Sequence, residues 1–382
     1  MVALVATGCG FEVTNTPGDG GTHDGATMGC PWPYAPSGVD PCSGVPAGVL
    51  PELDLSAVGV YVYDCDDATL TTPTGADLVA PSTLVGGARV IWSGSFKVGP
   101  AATLRVTGDI PLVVVAQSTV TIDGTVDAGS YLLGANRVGA GSNPAVCATA
   151  TLFGTTCTHG GSGGGGGGFG TVGAPGGVGG LTNDCGMGGS AGIPGGPGGP
   201  ASADLSVRGG CAGGDGAEGD GSLGGDGGEG GGAIQLVARD VLRVGSTGKI
   251  LAGGGGGTGG NNGRSGGGGG GSGGSILLGG TSITVAGVIA ANGAGGGGGS
   301  NGNQAGGGAD GQPSLTAAVG GTPEGMSGTG GNGAAGALPA TPGTGLDRGG
   351  GGGGGGAGKI RLTTKPGNAP VIAGAVITPA PT

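Results

Sequence analysis

The sequence has few of the side chains from which enzymes and wide hydrophobic cores are built. Aromatic residues make up 3% of the 382 residues, charged residues make up 10%, and two residues are histidine. Because a wide, interlocked core requires large side chains, a thin and repetitive core is expected instead. No segment approaches the roughly 20 consecutive apolar residues that span a bilayer as a helix. The composition therefore argues against conventional globular domains.

Basic residues are scarce as well. The chain has 13 lysines and arginines against 24 aspartates and glutamates, a net charge of −11. Nucleic acids and anionic membranes are bound through clustered basic residues, and the sequence has no such cluster. It also has no Cys-x-x-Cys pair, so it does not favour a metal site. We expect no nucleic-acid partner, no cofactor and no catalytic residues.

What the sequence has is glycine, at 112 positions. Within four tracts glycine recurs at every third residue, and the first of these runs is Gly161, Gly164, Gly167, Gly170, Gly173, Gly176 and Gly179. Three residues per turn is the repeat of an extended left-handed helix, and glycine on one face lets neighbouring helices approach closely. The alternative is a set of disordered linkers. We predict ordered bundles of polyglycine-II helices, with Phe169, Val172, Leu223 and Asp226 pointing away from the packed face.

Short strand motifs separate the tracts. A motif of alternating apolar residues around a central glycine recurs 163 positions later (283 − 120). The two copies are Val120, Ile122, Gly124, Val126, Ala128 and Ile283, Val285, Gly287, Ile289, Ala291, with a copy between them at Leu242, Val244, Gly248, Ile250, Ala252. Period-2 alternation indicates strands, and the glycine indicates a corner. The sequence predicts an all-β fold, a parallel β-helix or related solenoid; antiparallel hairpins in a sandwich are the alternative.

The N-terminus indicates export. Ala6-Thr7-Gly8-Cys9 follows an apolar stretch and is typical of a lipobox, which predicts lipidation at Cys9. Ala6 replaces the usual leucine and no basic region precedes it, so a coincidental apolar start is the alternative. We divide the chain into a signal-peptide remnant (1–9), a flexible tether (10–29), a cysteine-containing cap (30–87) and a strand-repeat and glycine-tract domain (88–382).

The eight cysteines fit an oxidising compartment. Short spacings suggest three local disulfides: Cys30 with Cys42, Cys147 with Cys157, and Cys185 with Cys211. Cys65 is then left over if Cys9 carries a lipid. Spacing alone does not determine connectivity.

Several patterns imitate catalytic or binding sites. The glycines before Lys359 approximate a phosphate-binding loop, but Ile360 stands where Ser or Thr should hold Mg²⁺. Asp123 and Asp127 could be paired as glycosidase carboxylates, yet they flank inward positions, so we expect them to point outward with almost no basic residue nearby. Cys157 and His159 could form a Cys–His nucleophile pair, but a disulfide at Cys157 and a surface histidine at 159 explain them better. The acidic clusters Asp64, Asp66, Asp67 and Asp215, Asp220, Asp226 are interpreted as solvated turns, with Ca²⁺ binding as the alternative.

Two blocks carry a resemblance to known proteins: Gly274-Ser275-Ile276-Leu277-Leu278 and Ile289-Ala290-Ala291-Asn292-Gly293. With the lipobox and tether, they resemble glycine-rich lipoproteins of the Gram-negative bacterial surface. The tracts are similar to the polyglycine-II bundles of some phage tail-tip adhesins and of one insect-type antifreeze protein. This resemblance implies an architecture, because function is grafted onto folds.

Three classes of function follow. The first is a non-enzymatic extracellular structural or adhesive protein, self-associating or bound to surface glycans, and attached to the membrane only through a lipid anchor at Cys9. The second is a module that binds glycan, cells or ice with the face of its glycine bundle. The third, a β-helix carbohydrate-active enzyme, lacks a recognisable site.

Overall fold

The described part of the chain is all-β, as predicted. In the computed structural model it comprises residues 32–382 apart from 44–45, 47, 49, 79, 136, 148–151, 158, 181–191 and 346, and it contains no helix. Cys9, the tether 10–29, Cys30 and Cys185 lie outside these residues. The strands are β1 (Leu53–Leu55), β2 (Gly59–Asp64), β3 (Thr69–Thr71), β4 (Asp77–Leu78), β5 (Ser82–Val85), β6 (Ala88–Ser93), β7 (Phe96–Val98), β8 (Ala102–Thr107), β9 (Leu112–Ala116), β10 (Thr119–Ile122), β11 (Thr125–Asp127), β12 (Ala233–Ala238), β13 (Val241–Val244), β14 (Lys249–Leu251), β15 (Ser275–Gly280), β16 (Ser282–Val285), β17 (Val288–Ala290), β18 (Lys359–Thr364), β19 (Val371–Ile372) and β20 (Val376–Thr378).

The strands form three sheets. Sheet A has the order β1-β7-β10-β13-β16-β19, sheet B has β20-β17-β14-β11-β8-β2-β3-β4, and sheet C has β18-β15-β12-β9-β6-β5. From β9 onward the chain visits the sheets in the constant order C, A, B, and each strand pairs in parallel with the strand of the next circuit. Among the named strands, the antiparallel pairs are β2 with β3, β3 with β4, and β5 with β6, at the first end of the stack.

The recurring apolar positions stack in register. Ile122, Val244, Val285 and Ile372 are successive partners in sheet A. Val126, Ile250, Ile289 and Ile377 are successive partners in sheet B. The predicted core positions Ile122, Val126, Val244, Ile283, Val285 and Ile289 are all buried. The prediction of a narrow, stacked apolar stripe is therefore confirmed.

The central glycine of each motif lies at a corner between sheets A and B. A Cβ on Gly124 would overlap the carbonyl oxygen of Gly99, and one on Gly248 would overlap that of Ile122. Likewise, a Cβ on Gly287 would overlap the carbonyl oxygen of Gly248. Each corner packs so closely on the preceding circuit that only glycine fits there.

The glycine tracts are the connections that lead from sheet B back to sheet C. They occupy residues 128–232, 252–274 and 291–358, between β11 and β12, β14 and β15, and β17 and β18. Their backbone groups bond to one another at intervals of three residues. Gly161, Gly164 and Gly167 donate to the carbonyl oxygens of Arg264, Gly267 and Gly270 at 2.9–3.0 Å, whereas Gly163 and Gly166 donate to Gly177 and Ala174.

Four tract segments are surrounded on all sides. We call them the inner segments: 160–168, 264–274, 292–300 and 348–358. The first donates N–H groups to segments 152–155, 171–177 and 264–270, and it accepts from 196–199, 214–217 and 350–356. Six neighbours around one extended segment satisfy backbone groups that would otherwise be buried without partners.

This packing corrects the expectation that only the glycine at every third residue, which we call the glycine frame, faces a neighbouring segment. The frame of three assigned one glycine in three to a packed face, but a Cβ on any of Gly163 to Gly168 would lie within 3.0 Å of a neighbouring carbonyl oxygen. A segment with six neighbours has no free side, so glycine is required at each of these six positions. The inner segments also hold a few small buried residues, such as Ser162 and Ala294, whereas segments at the surface spare one position in three for larger side chains, as at Val172 and Leu223, which are exposed as predicted.

Candidate functional site

Asp123 and Asp127, the two carboxylates whose spacing resembles a glycosidase pair, are both in ion pairs. Asp127 is buried, and its Oδ1 lies 3.2 Å from Nη1 of Arg105, its register partner on the neighbouring strand. Asp123 Oδ1 lies 2.8 Å from Nη1 of Arg243. The expectation of almost no basic residue nearby is wrong, because the parallel register places Arg105 beside Asp127 and the next strand of sheet A brings Arg243 to Asp123. Asp127 lies on the opposite face of its strand from the core residue Val126, but Arg105 and Tyr131 cover it there.

The Asp127 carboxylate has a further partner. The hydroxyl of Tyr131 donates to both Asp127 oxygens at 2.9 Å, and the Arg105 guanidinium lies over the Tyr131 ring at 5.1 Å. Burial, followed by the charge of Asp127, raises the pKa of Tyr131. A carboxylate with these contacts stabilises the first turn of the glycine tract and is poorly placed to act as a base.

In the two acidic clusters, Asp64, Asp215 and Asp220 each have a partner within the protein. Asp64 Oδ1 accepts from the amide of Asp66 at 2.9 Å, Asp215 Oδ1 accepts from Gly227 at 2.8 Å, and Asp220 pairs with Arg264 at 3.2 Å. Within the described residues, no group of three or more His, Cys, Asp and Glu side chains could hold a metal ion.

Disulfide pairing differs from the local pattern expected. Cys147 bonds to Cys211, which corrects the pairs Cys147 with Cys157 and Cys185 with Cys211. The reason is the fold, since the intervening tract leaves and returns and brings the two Cα atoms to 5.4 Å. Cys42 and Cys157 are also disulfide-bonded, and Cys65 is a buried free thiol. These bonds indicate a non-reducing environment.

Phe169 lies at the centre of a buried cation cluster. It was expected to point away from the packed face, but it is fully buried. The Arg208 guanidinium lies 4.2 Å and the Lys359 ammonium 5.2 Å from the centre of its ring. Nζ of Lys359 also donates to the carbonyl oxygens of Ser202 and Asp204 at 2.5 and 2.6 Å. Lys359, from the apparent phosphate loop, therefore holds a neighbouring chain segment.

On one side of the glycine bundle, the five described segments carry no charged side chain. Five surface segments lie next to one another in the order 192–200, 171–177, 338–345, 327–335 and 316–323, joined by backbone hydrogen bonds such as Gly176 to Gly196, Gly343 to Pro175, Thr341 to Asn332 and Gly330 to Gly321. We call this surface the charge-free face. It is lined by the exposed residues Pro194, Pro197, Pro200, Val172, Pro175, Leu338, Thr341, Thr344, Thr329, Asn332, Thr316, Val319 and Thr322. The acidic residues Asp215, Glu218 and Asp226 lie on other segments.

The last circuit of strands, β18 to β20, leaves the stack open. Ile372 is 49% exposed, whereas its register partner Val285, one circuit earlier, is fully buried. Val371, whose register partner is the half-buried Thr284 on the other face of the strand, is 57% exposed. No described strand pairs with the outer edges of β18, β19 and β20. We call this surface the open end; at Ile372 it exposes the apolar stripe that the earlier circuits bury, whereas Ile360 in β18 remains buried.

No family model, curated protein sequence or solved structure matches this chain. Among the described residues, no helix is long and apolar enough to cross a membrane.

Proposed function

We propose that the protein is a non-enzymatic extracellular structural or adhesive protein that associates with further copies of itself through the open end. Its strands are best interpreted as a three-sided parallel β-helix, since the chain visits three sheets in a constant order. Its tracts are best interpreted as a polyglycine-II bundle, since each bonds to a given neighbour at every third residue. Both are repetitive architectures in which each unit packs only on its neighbours, so a rigid structure is built with few large side chains.

The observation that carries the proposal is the open end. Thr382 bonds to Ile360 in β18, but no described strand pairs with the outer edges of β19 and β20. A free strand edge beside an exposed apolar residue such as Ile372 is a template for another chain. Burying an exposed valine or isoleucine contributes about 1.5–3 kcal/mol, so Val371 and Ile372 supply a substantial part of an interface.

The charges favour contact between opposite ends of two copies. Arg361 and Lys365 lie at the open end, whereas Asp66 and Asp77 lie beside β2 to β4 at the other end. Contact between unlike ends is heterologous and does not close on itself, so it produces filaments.

We expect Ile372→Lys to abolish self-association, because it places a charge in the apolar stripe at the interface. Sedimentation velocity over a concentration series should show species larger than the monomer for the parent and the monomer for this variant. Val172→Lys, an equally exposed position on the bundle, should associate like the parent. A parent that stays monomeric at all concentrations, or two variants that behave alike, would contradict the proposal.

The charge-free face favours a second candidate function, binding to a neutral, hydroxyl-rich ordered surface such as a polysaccharide or ice. Two of its hydroxyls are held by the backbone: Thr344 Oγ1 accepts from the amide of Thr329 and Thr341 Oγ1 from that of Asn332, both at 2.7 Å. Residues three apart on an extended helix are about 9.3 Å apart, so the side chains form regular rows.

We expect Val319→Glu to reduce such binding at least tenfold, since it puts a charge among neutral side chains. Pull-down on insoluble polysaccharides and freezing-point hysteresis distinguish the two surfaces. Asp226→Asn, on an acidic segment, is the matched control and should bind normally. Absence of both activities in the parent would exclude this function.

A further inference from the structure

A cavity of about 250 Å³ lies beside the Cys147–Cys211 disulfide and borders the charge-free face at Pro200. Most of its wall is apolar and comes from Val146, the disulfide, Leu152, Pro200 and Ala201. The polar groups in the wall are Ser202 and the guanidinium of Arg208, in addition to backbone groups. An apolar cavity with one charged group in its wall is the usual form of a site for a small molecule.

Arg208 is poorly satisfied for a buried cation. The residue is 9% exposed, and its one carboxylate partner, Asp204, is reached through Nε, which lies 3.2 Å from Oδ2. Nη1 has only distant acceptors, the Gly209 carbonyl oxygen at 3.5 Å and the Cys147 sulfur at 4.0 Å. A guanidinium carries five N–H donors, so Arg208 has donors left to bond to both oxygens of a carboxylate.

The surroundings also hold one positive charge in excess. Arg208 and Lys359 both lie over the Phe169 ring, and Asp204 is the carboxylate that pairs with Arg208. The Asp204 carboxylate is itself shared, since Oδ1 accepts from the amide of Ser206 and Oδ2 from its hydroxyl. Burial lowers the pKa of Arg208, and burial and then the charge of Arg208 lower that of Lys359. Two buried cations beside a single carboxylate, which pairs with only one of them, favour a second anion.

We propose that this cavity binds a small monocarboxylate whose body is apolar. The carboxylate pairs with the free donors of Arg208, and the apolar body lies against Val146, Leu152 and the disulfide. A ligand without charge lacks the first of these contacts, and a ligand with several charges is opposed by the apolar wall. Selectivity for a single negative charge is therefore the signature of the site.

Benzoate and benzamide test this selectivity, because they match in size and differ in charge. Titration calorimetry on the whole protein should show benzoate binding at least tenfold more tightly than benzamide. In methyl NMR spectra, benzoate should shift the signals of Val146 and Leu152. Equal affinity for the two compounds, or no binding of benzoate, would overturn the proposal without reference to any variant.

Arg208→Gln should reduce benzoate affinity to that of benzamide. Arg243→Gln removes an arginine from an exposed ion pair elsewhere and should leave benzoate affinity unchanged. If a folded Arg208→Gln protein, judged by its thermal unfolding, binds benzoate like the parent, Arg208 is not the anion partner and the proposed site is wrong.

Discussion

Replacing Gly166 with alanine is expected to lower the free energy of unfolding by roughly 3–6 kcal/mol. The new Cβ would overlap the carbonyl oxygen of Gly354, which accepts from the amide of Ala174. Gly166 itself donates to the carbonyl oxygen of Ala174 and accepts from Gly199. Separating these segments leaves two or three buried groups unpaired at about 1–3 kcal/mol each. This loss exceeds the roughly 0.4–1 kcal/mol gained from restricting the unfolded chain.

Gly255→Ala is the matched control for this prediction. Gly255 lies in another tract of the same bundle, but its Cβ would meet nothing closer than the Tyr131 amide nitrogen at 3.3 Å. We expect a change within about 1 kcal/mol, measured by denaturant unfolding of both variants. Equal stability of Gly166→Ala and Gly255→Ala would show that the inner segments are not sterically restricted to glycine.

Val285→Asp is expected to cost about 4 kcal/mol or more. Val285 is fully buried in sheet A between its register partners Val244 and Ile372. The substitution removes a buried apolar side chain and places a carboxyl group where no partner is available. Because each circuit packs only on its neighbours, the damage should also loosen the last circuit.

Thr284→Asp on the same strand is the control, because adjacent residues point to opposite faces. Thr284 is half-buried and lies across from Arg243, which offers a counter-charge. Its thermal unfolding should remain close to that of the parent. If both aspartate variants unfold at the same temperature, the stripe containing Val285 does not form the core.

The strand stack was predictable because its signal is local and repeated. The motif around Gly124, Gly248 and Gly287 shows alternation, corner and spacing within a few residues. The last circuit gives a weaker signal, because β19 and β20 are short and a turn with Pro366 and Gly367 precedes them. Too little alternation remains there to distinguish a strand from a loop.

The features that sequence reasoning missed are those that depend on distant neighbours. The burial of Phe169 depends on Arg208 and Lys359, which are brought to it by the folding of separate tracts. The ion pair of Asp127 with Arg105 depends on strand register. The Cys147–Cys211 bond closes a loop with a sequence separation of 64. A glycine frame likewise does not reveal whether a segment has two neighbours or six.

Amide hydrogen exchange on the glycine tracts tests the central claim most directly, which is that these tracts are folded. The amides of Gly163 to Gly167 each donate to a neighbouring segment, as do those of Gly267, Gly270 and Gly273. We predict that they exchange as slowly as the amides of β15 in the strand core, since both belong to one hydrogen-bonded structure. Exchange of residues 163–167 at the rate of an unstructured chain would contradict the account and leave only strands joined by flexible spacers.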